Sequence, residues 1–171
     1  MRRILSVDPG AHVGIAVAEI EEDGTVGFFS YEMTPEQFYD MAEALVYEAD
    51  VVLCEDFVIS GARARDSNQT IEMIGVLRYL VARRNQQMGY RGTESLPPNV
   101  PFITQPPGAG TAFAGPKWSK LKAIGWYRPG PDHSNSAAGH LLRYLVQNPA
   151  LREQLLPLDA ALEEVAPNAN S

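Results

Sequence analysis

Cysteine is almost missing from this chain. Cys54 stands alone among 171 residues, so no internal disulfide can form, and between Leu53 and Glu55 on an apolar run it reads as core filler rather than a nucleophile. No run of about 18 or more apolar residues occurs, so no membrane-spanning helix is expected. The opening Met1-Arg2-Arg3-Ile4-Leu5-Ser6-Val7-Asp8 meets an acid before any signal-like region can develop. No internal repeat is visible. These absences predict a soluble, cytoplasmic protein with no membrane partner.

Basic charge is scarce in the first third. Residues 1–62 hold 2 basic and 13 acidic side chains, whereas residues 63–143 hold 11 basic and 4 acidic, and residues 144–171 hold 1 and 4. The net charge of −7 therefore hides a basic middle, which suits a phosphate-bearing partner if the fold gathers those side chains and a plain solvated surface if it does not. With 45% hydrophobic residues and a mean hydropathy of −0.17, the length suits one well-buried core. A single domain over residues 1–165 is expected, with a disordered tail at 166–171.

The pattern along the chain reads β-β-β-α-β-α-β-α-α. Arg3 to Val7 and Val13 to Ile20 are strand-like, and Glu21-Glu22-Asp23-Gly24 turns the second into a third strand, Thr25 to Met33, giving an antiparallel meander. Thr34-Pro35-Glu36 is an N-cap, a first-turn proline and an early acid. Phe38, Met41, Ala42, Leu45 and Val46 then follow at helical spacing to about Glu48. Asp50 to Glu55 is nearly all apolar, as in a central strand parallel to the first. Gly61 to Asn68 reads as a mobile basic loop, Gln69 to Gln87 as a helix, Met88 to Pro101 as a connector and Val100 to Thr104 as a last strand. Three prolines and three glycines between Gln105 and Pro116 argue for a surface loop without regular structure. Lys117 to Ile124 suits a short helix, Ser134 to Val146 a longer one and Leu151 to Val165 a final one.

Two acids end apolar strands. Asp8 precedes Pro9-Gly10, where an ordinary turn is one explanation, and Glu55 ends the strand expected beside it. Carboxylates brought together there repel unless a cation joins them, and a divalent ion would turn both into ligands. A third element is Asp132-His133-Ser134-Asn135-Ser136, at the start of the late helix. Positions 133 and 136 share a helical face, His140 lies seven residues on along it, and Leu141, Leu142 and Leu145 point to the core.

These segments resemble the RuvC family of Holliday-junction resolvases, especially its compact phage-encoded members. The resemblance rests on Ile4-Leu5-Ser6-Val7-Asp8-Pro9-Gly10, Val52-Leu53-Cys54-Glu55, and the stretch from Asp132 to Leu145. It implies an α/β, ribonuclease H-like fold: a mixed five-stranded sheet, with three strands as an antiparallel meander and two parallel, flanked by helices. It implies a nuclease in the cytoplasm of a host cell, a homodimer acting on branched DNA such as four-way junctions, and two Mg²⁺ or Mn²⁺ ions per active site. Carried over, Asp8 bridges both ions, Glu55 binds one, and His133 takes the first helical position.

At the fourth position the family has Asp where this chain has Ser136. A hydroxyl supplies oxygen without charge, so Asp132 or Asp56 substitutes, the phosphate completes the sphere, or cleavage is weak. Ser136→Asp is expected to raise Mg²⁺-dependent cleavage; an equal or lower rate at matched folding contradicts this. DNA contacts are expected from Arg63 and Arg65 after the Glu55 strand and from Lys117, Lys120 and Lys122 before the late helix. Phe57, Phe113 or Trp118 are candidates to stack at a junction, with core packing as the alternative. Three other functions fit parts of the pattern: a junction-binding protein without catalysis, another ribonuclease H-like nuclease acting on RNA, and an actin-like ATPase, whose second phosphate loop this sequence lacks.

Overall fold

The computed structural model describes residues 1–57, 64–90, 99–130 and 132–152, without the side chains of 64–67, 89–90 and 152. The elements run β1 (Arg2–Asp8), β2 (Val13–Ile20), β3 (Val26–Met33), α1 (Pro35–Glu48), β4 (Val51–Glu55), α2 (Ala64–Tyr90), β5 (Phe102–Gln105), α3 (Ala109–Ala114), α4 (Ser119–Ala123), α5 (Asp132–Gln147) and α6 (Pro149–Arg152). A 3-10 turn, Pro116–Trp118, precedes α4. The strands form one sheet in the order β3-β2-β1-β4-β5. β1–β2 and β2–β3 are antiparallel, while β4 lies parallel to both β1 and β5. This is the mixed five-stranded arrangement expected from the sequence.

Strand alternation divides the side chains between two cores. Leu5, Val7, Val52 and Cys54 face α1 and α2, alongside Phe38, Val46, Met73 and Leu77. Ile4, Val51 and Leu53 face α5 and pack on Ala137, Ala138, Leu141, Leu142 and Leu145. Asp8 and Glu55 continue the second set, so both carboxylates emerge on the α5 side at the carboxyl ends of neighbouring parallel strands. Cys54 belongs to the first core, where burial pushes its thiol pKa up; it is inert filler, as its neighbours in the chain indicated.

Thr34 caps α1 as its sequence predicts. Its hydroxyl accepts from Gln37 N–H at 3.4 Å, and the Gln37 side chain accepts from Thr34 N–H at 2.9 Å. Ile74, Leu77 and Leu80 of α2 are buried in the core, while Ile71 and Tyr79 are exposed. Among the described residues no helix is long and apolar enough to cross a membrane.

Several boundaries differ from the expectation. α2 begins at Ala64, so residues 64–68 are helical rather than loop, since Ala64 and Arg65 are good helix formers. It also runs on to Tyr90, into the expected connector, and β5 is shifted to Phe102–Gln105. The segment Gln105–Pro116 is not an irregular surface loop. It contains α3, entered through Gly108 (φ 69°) and left through Gly115 (φ 78°), and the paired prolines precede the helix without interrupting it. The region Lys117–Ile124 splits into the 3-10 turn and α4, and α5 starts at Asp132. The tail and nearly all of the final expected helix lie outside the described residues.

Candidate active site

Glycine lets α5 touch the sheet. A Cβ on Gly14 of β2 would lie 2.0 Å from the His133 carbonyl oxygen, so strand and helix backbones meet directly there. The same device holds α3 against α5: a Cβ on Gly139 would lie 2.4 Å from Gly110 O, and one on Gly110 would lie 2.6 Å from Ser136 O. Ser134 to Gly139, all small and all buried, allow this approach, and it brings the first turns of α5 over the ends of β1 and β4.

Four elements thus supply the site. Asp8 Oδ2 lies 3.2 Å from His133 Nδ1. Glu55 Oε1 accepts from Gly108 N–H at 2.9 Å, while Oε2 accepts from the Ser136 hydroxyl at 3.3 Å and lies 2.8 Å from His140 Nε2. Glu32 of β3 caps α5, accepting from His133 N–H at 2.7 Å and Ser134 N–H at 3.3 Å. A carboxylate at a helix N-terminus offsets its orphan donors and its dipole.

The two carboxylates titrate in opposite directions. Burial pushes Asp8 above its ordinary value, opposed by the His133 hydrogen bond and helped by the Glu55 charge. Burial would raise Glu55 too, but hydrogen bonds from His140, Gly108 and Ser136 outweigh it and hold the group below its ordinary value. The Asp8 hydrogen bond raises His133 despite partial burial. A raised base binds its proton more tightly in the folded state, so this contribution to stability is full below the ordinary value of 6.5 and fades as pH rises through the folded value. In metal-free buffer the Tm of the wild type is expected to fall across that window more than that of His133→Asn. Parallel Tm profiles for the two proteins would contradict the pairing.

The structure brings Asp8, Glu55, His133 and Ser136 together, while Asp132 is exposed at the start of α5. Asp56 accepts from the Phe57 N–H at 3.0 Å. Among the described residues no group of three or more His, Cys, Asp and Glu side chains is arranged as a metal site. The donor chemistry nevertheless fits a hard divalent cation at Asp8. Its Oδ1 has no protein partner among the described residues, with the Glu55 carboxylate and Ser136 hydroxyl as further oxygen donors nearby.

The expected DNA contacts are described only in part. Arg63 lies outside the described residues, and of Arg65 only its place in the first turn of α2 is described. The Lys120 ammonium sits 4.2 Å from the Phe113 ring centre and Lys122 sits 4.5 Å from that of Tyr127. Lys117 is exposed. Elsewhere Arg83 pairs with Glu43, Arg78 lies over Phe102, Arg128 bonds the Ser30 carbonyl and Arg84 is buried. The basic middle of the chain is therefore partly consumed by the protein itself.

Sequence reasoning missed Glu32 and Gln105, and it placed His140 on the site face without its partner. Gln105 pairs with Glu55 across β4 and β5, so the carboxyl ends of three parallel strands, β1, β4 and β5, all contribute a polar side chain. The edge at which parallel strands end is where open α/β sheets place their sites.

Mixed sheet, crossing helix and strand-end acids together define a ribonuclease H-like fold. Among solved structures the chain matches T. thermophilus RuvC, determined in complex with Holliday junction substrate, at a TM-score of 0.56 and 13% identity, over 83% of this chain and 91% of that one. No family model and no curated protein matches the sequence.

Proposed function

We propose that this chain is a divalent-metal-dependent endonuclease that nicks branched DNA, with four-way junctions as its substrate and a homodimer as its working form. The observation that carries this is the convergence of Asp8 and Glu55, from parallel strand ends, with His133 and Ser136 from the first turn of α5. The likeness of the fold to a protein solved with a Holliday junction supports the substrate class. Asp8, Glu55 and Ser136 would hold Mg²⁺ or Mn²⁺, with His133 beside Asp8. The chemistry such an ion supplies is activation of water and charge compensation at a phosphodiester.

The protein's own residues do the rest. Glu55 is fixed by three hydrogen bonds before substrate arrives, which is preorganisation of the kind that electrostatic catalysis needs. His133, half-buried at the rim, meets Asp8 through Nδ1, and that hydrogen bond favours its protonated form, which would present positive charge to an incoming phosphate. A two-fold dimer would place two such sites for paired, symmetric cuts.

Lys117 and Trp118 are both left-handed, at φ 50° and 62°, a conformation costing roughly 1–2 kcal/mol at each non-glycine residue. Strain of this kind accumulates where a surface must hold a set shape. We assign Lys117 to backbone phosphate contact. Lys117→Gly is expected to gain about 1 kcal/mol of stability while lowering junction affinity and flattening its salt dependence. Unchanged affinity with the gain in stability would remove Lys117 from the interface.

A second function, junction binding without cleavage, is favoured by Ser136 in place of a carboxylate and by the saturation of Glu55 with protein donors. The deciding experiment is incubation with synthetic four-way junction, flap, RNA–DNA hybrid and linear duplex in Mg²⁺ and in Mn²⁺, with Asp8→Asn as control. Paired nicks in the junction, absent from the control, are expected. A retained but uncut junction establishes the second function, and cleavage of the hybrid alone moves the substrate to RNA.

A further inference from the structure

A cavity of about 470 Å³ lies where the edge strand β5 meets the carboxyl-terminal half of α5. Sites for small ligands span about 300–1,000 Å³, so the space suits a compact molecule. Its walls combine Ile103 and Tyr144 with four polar side chains, Gln105, Arg143, Gln147 and Asn148.

Arg143 is half-buried, and its hydrogen-bond partner is neutral: Nη1 donates to Gln105 Oε1 at 3.1 Å. Gln105 is itself held in place, since its amide nitrogen donates to the His140 carbonyl at 3.0 Å. Among the described residues no carboxylate lies within ion-pair distance of Arg143. A guanidinium presents five N–H groups in a planar fork that matches a phosphate or carboxylate through parallel bonds. Most of that fork is open toward an anion.

The opposite end of the cavity has the other sign. Gln147 closes α5 and Asn148 follows it, where the helix dipole is negative and carbonyl groups lack partners within the helix. Asn148 Nδ2 donates to the Tyr144 hydroxyl at 3.3 Å, which leaves the Asn148 amide oxygen to accept. One cavity thus favours an anion at one end and hydrogen-bond donors at the other, with an aromatic ring in its wall. A nucleotide whose base carries an amino group has that layout.

We propose that the cavity between β5 and α5 binds a phosphate-bearing nucleotide, with Arg143 on the phosphate and Gln147 and Asn148 on the base. The same chemistry belongs to a free mononucleotide and to the 5′-phosphorylated end of a strand. The site adds to the nuclease function above and does not depend on it.

The test is calorimetric titration of the full chain, in a chelator so that nothing is cleaved, with deoxyadenosine monophosphate, thymidine monophosphate, deoxyadenosine, and a single-stranded oligonucleotide carrying or lacking a 5′-phosphate. Deoxyadenosine monophosphate is expected to bind about tenfold more tightly than deoxyadenosine, and more tightly than thymidine monophosphate. Arg143→Gln is expected to remove the preference for phosphate. Gln147→Ala, at an exposed position, is expected to weaken the monophosphate about fivefold and keeps the test open if the first variant does not fold. Binding of the monophosphate alone identifies a free nucleotide as the ligand, and binding of the phosphorylated strand identifies a strand end; either upholds the site. Binding of neither, indifference to the phosphate or to the base, or affinities unchanged in both variants overturns the proposal. Failure here leaves cleavage at Asp8 and Glu55 standing, and an uncut junction leaves the nucleotide site standing.

Discussion

Gly14→Ala is expected to cost both stability and cleavage, although it adds a single methyl group and removes no side chain from the site. The new Cβ would sit 2.0 Å from His133 O, 2.3 Å from His133 C and 2.8 Å from Ser134 N. All three are backbone atoms of a helix anchored to the sheet by Leu141, Leu142 and Leu145, each fully buried. Neither backbone has room to yield, so the start of α5 must lift off the sheet. Overpacking of this kind costs about 3 kcal/mol at its upper range, which for a chain of this size is a Tm loss of roughly 6–12 °C. Lifting α5 also draws His133 from Asp8 and Ser136 from Glu55, and cleavage should fall about 100-fold, since a misplacement of about 1 Å costs that much. Gly75→Ala is the control: nothing lies within 4 Å of its Cβ, and it should gain roughly 0.5–1 kcal/mol through helix propensity. Calorimetric Tm values and cleavage rates for the two variants decide the matter, and equal, small effects would contradict the close approach.

Asp8→Asn is expected to abolish metal-dependent cleavage while making the metal-free protein more stable. Burial raises the Asp8 pKa, so its contribution to folding is full below the ordinary value of 3.8 and lost as pH rises through the folded value. Above that folded value the ionised carboxylate burdens the fold. Asparagine does not titrate, is nearly isosteric, and keeps an oxygen to accept the His133 hydrogen. Denaturant melts in a chelator should show higher stability for the variant at pH 7. Loss of the anionic ligand should remove about 4 kcal/mol from the barrier reduction, or roughly 1,000-fold in rate. A variant less stable than wild type under those conditions would mean that Asp8 is a structural anion rather than a site kept under strain for function.

The parts of the site written in local pattern were legible in the sequence. Strand-end acids at Asp8 and Glu55, the capping residue Thr34, and the helical spacing of His133 and Ser136 each occupy a short window where periodicity or turn chemistry speaks. What could not be read is held by contacts between distant residues. Glu32 caps α5 from 101 positions away, and nothing around it in the sequence distinguishes it from an ordinary strand acid. His140 lies on the predicted face, yet its partners Glu55 and Gln105 are 85 and 35 positions away. α3 is hidden because glycine and proline ordinarily break helices. Gly108 and Gly115 instead bracket a helix, and Gly110 exists for its close contact with α5. The spread of the basic residues was equally illegible, since a lysine above an aromatic ring and a lysine facing solvent look the same in one dimension.

The most direct measurement is an anomalous difference map at the manganese edge from crystals of the chain grown with Mn²⁺. A peak within coordination distance of Asp8 and Glu55 is the expected result. A map with no peak there would contradict the account.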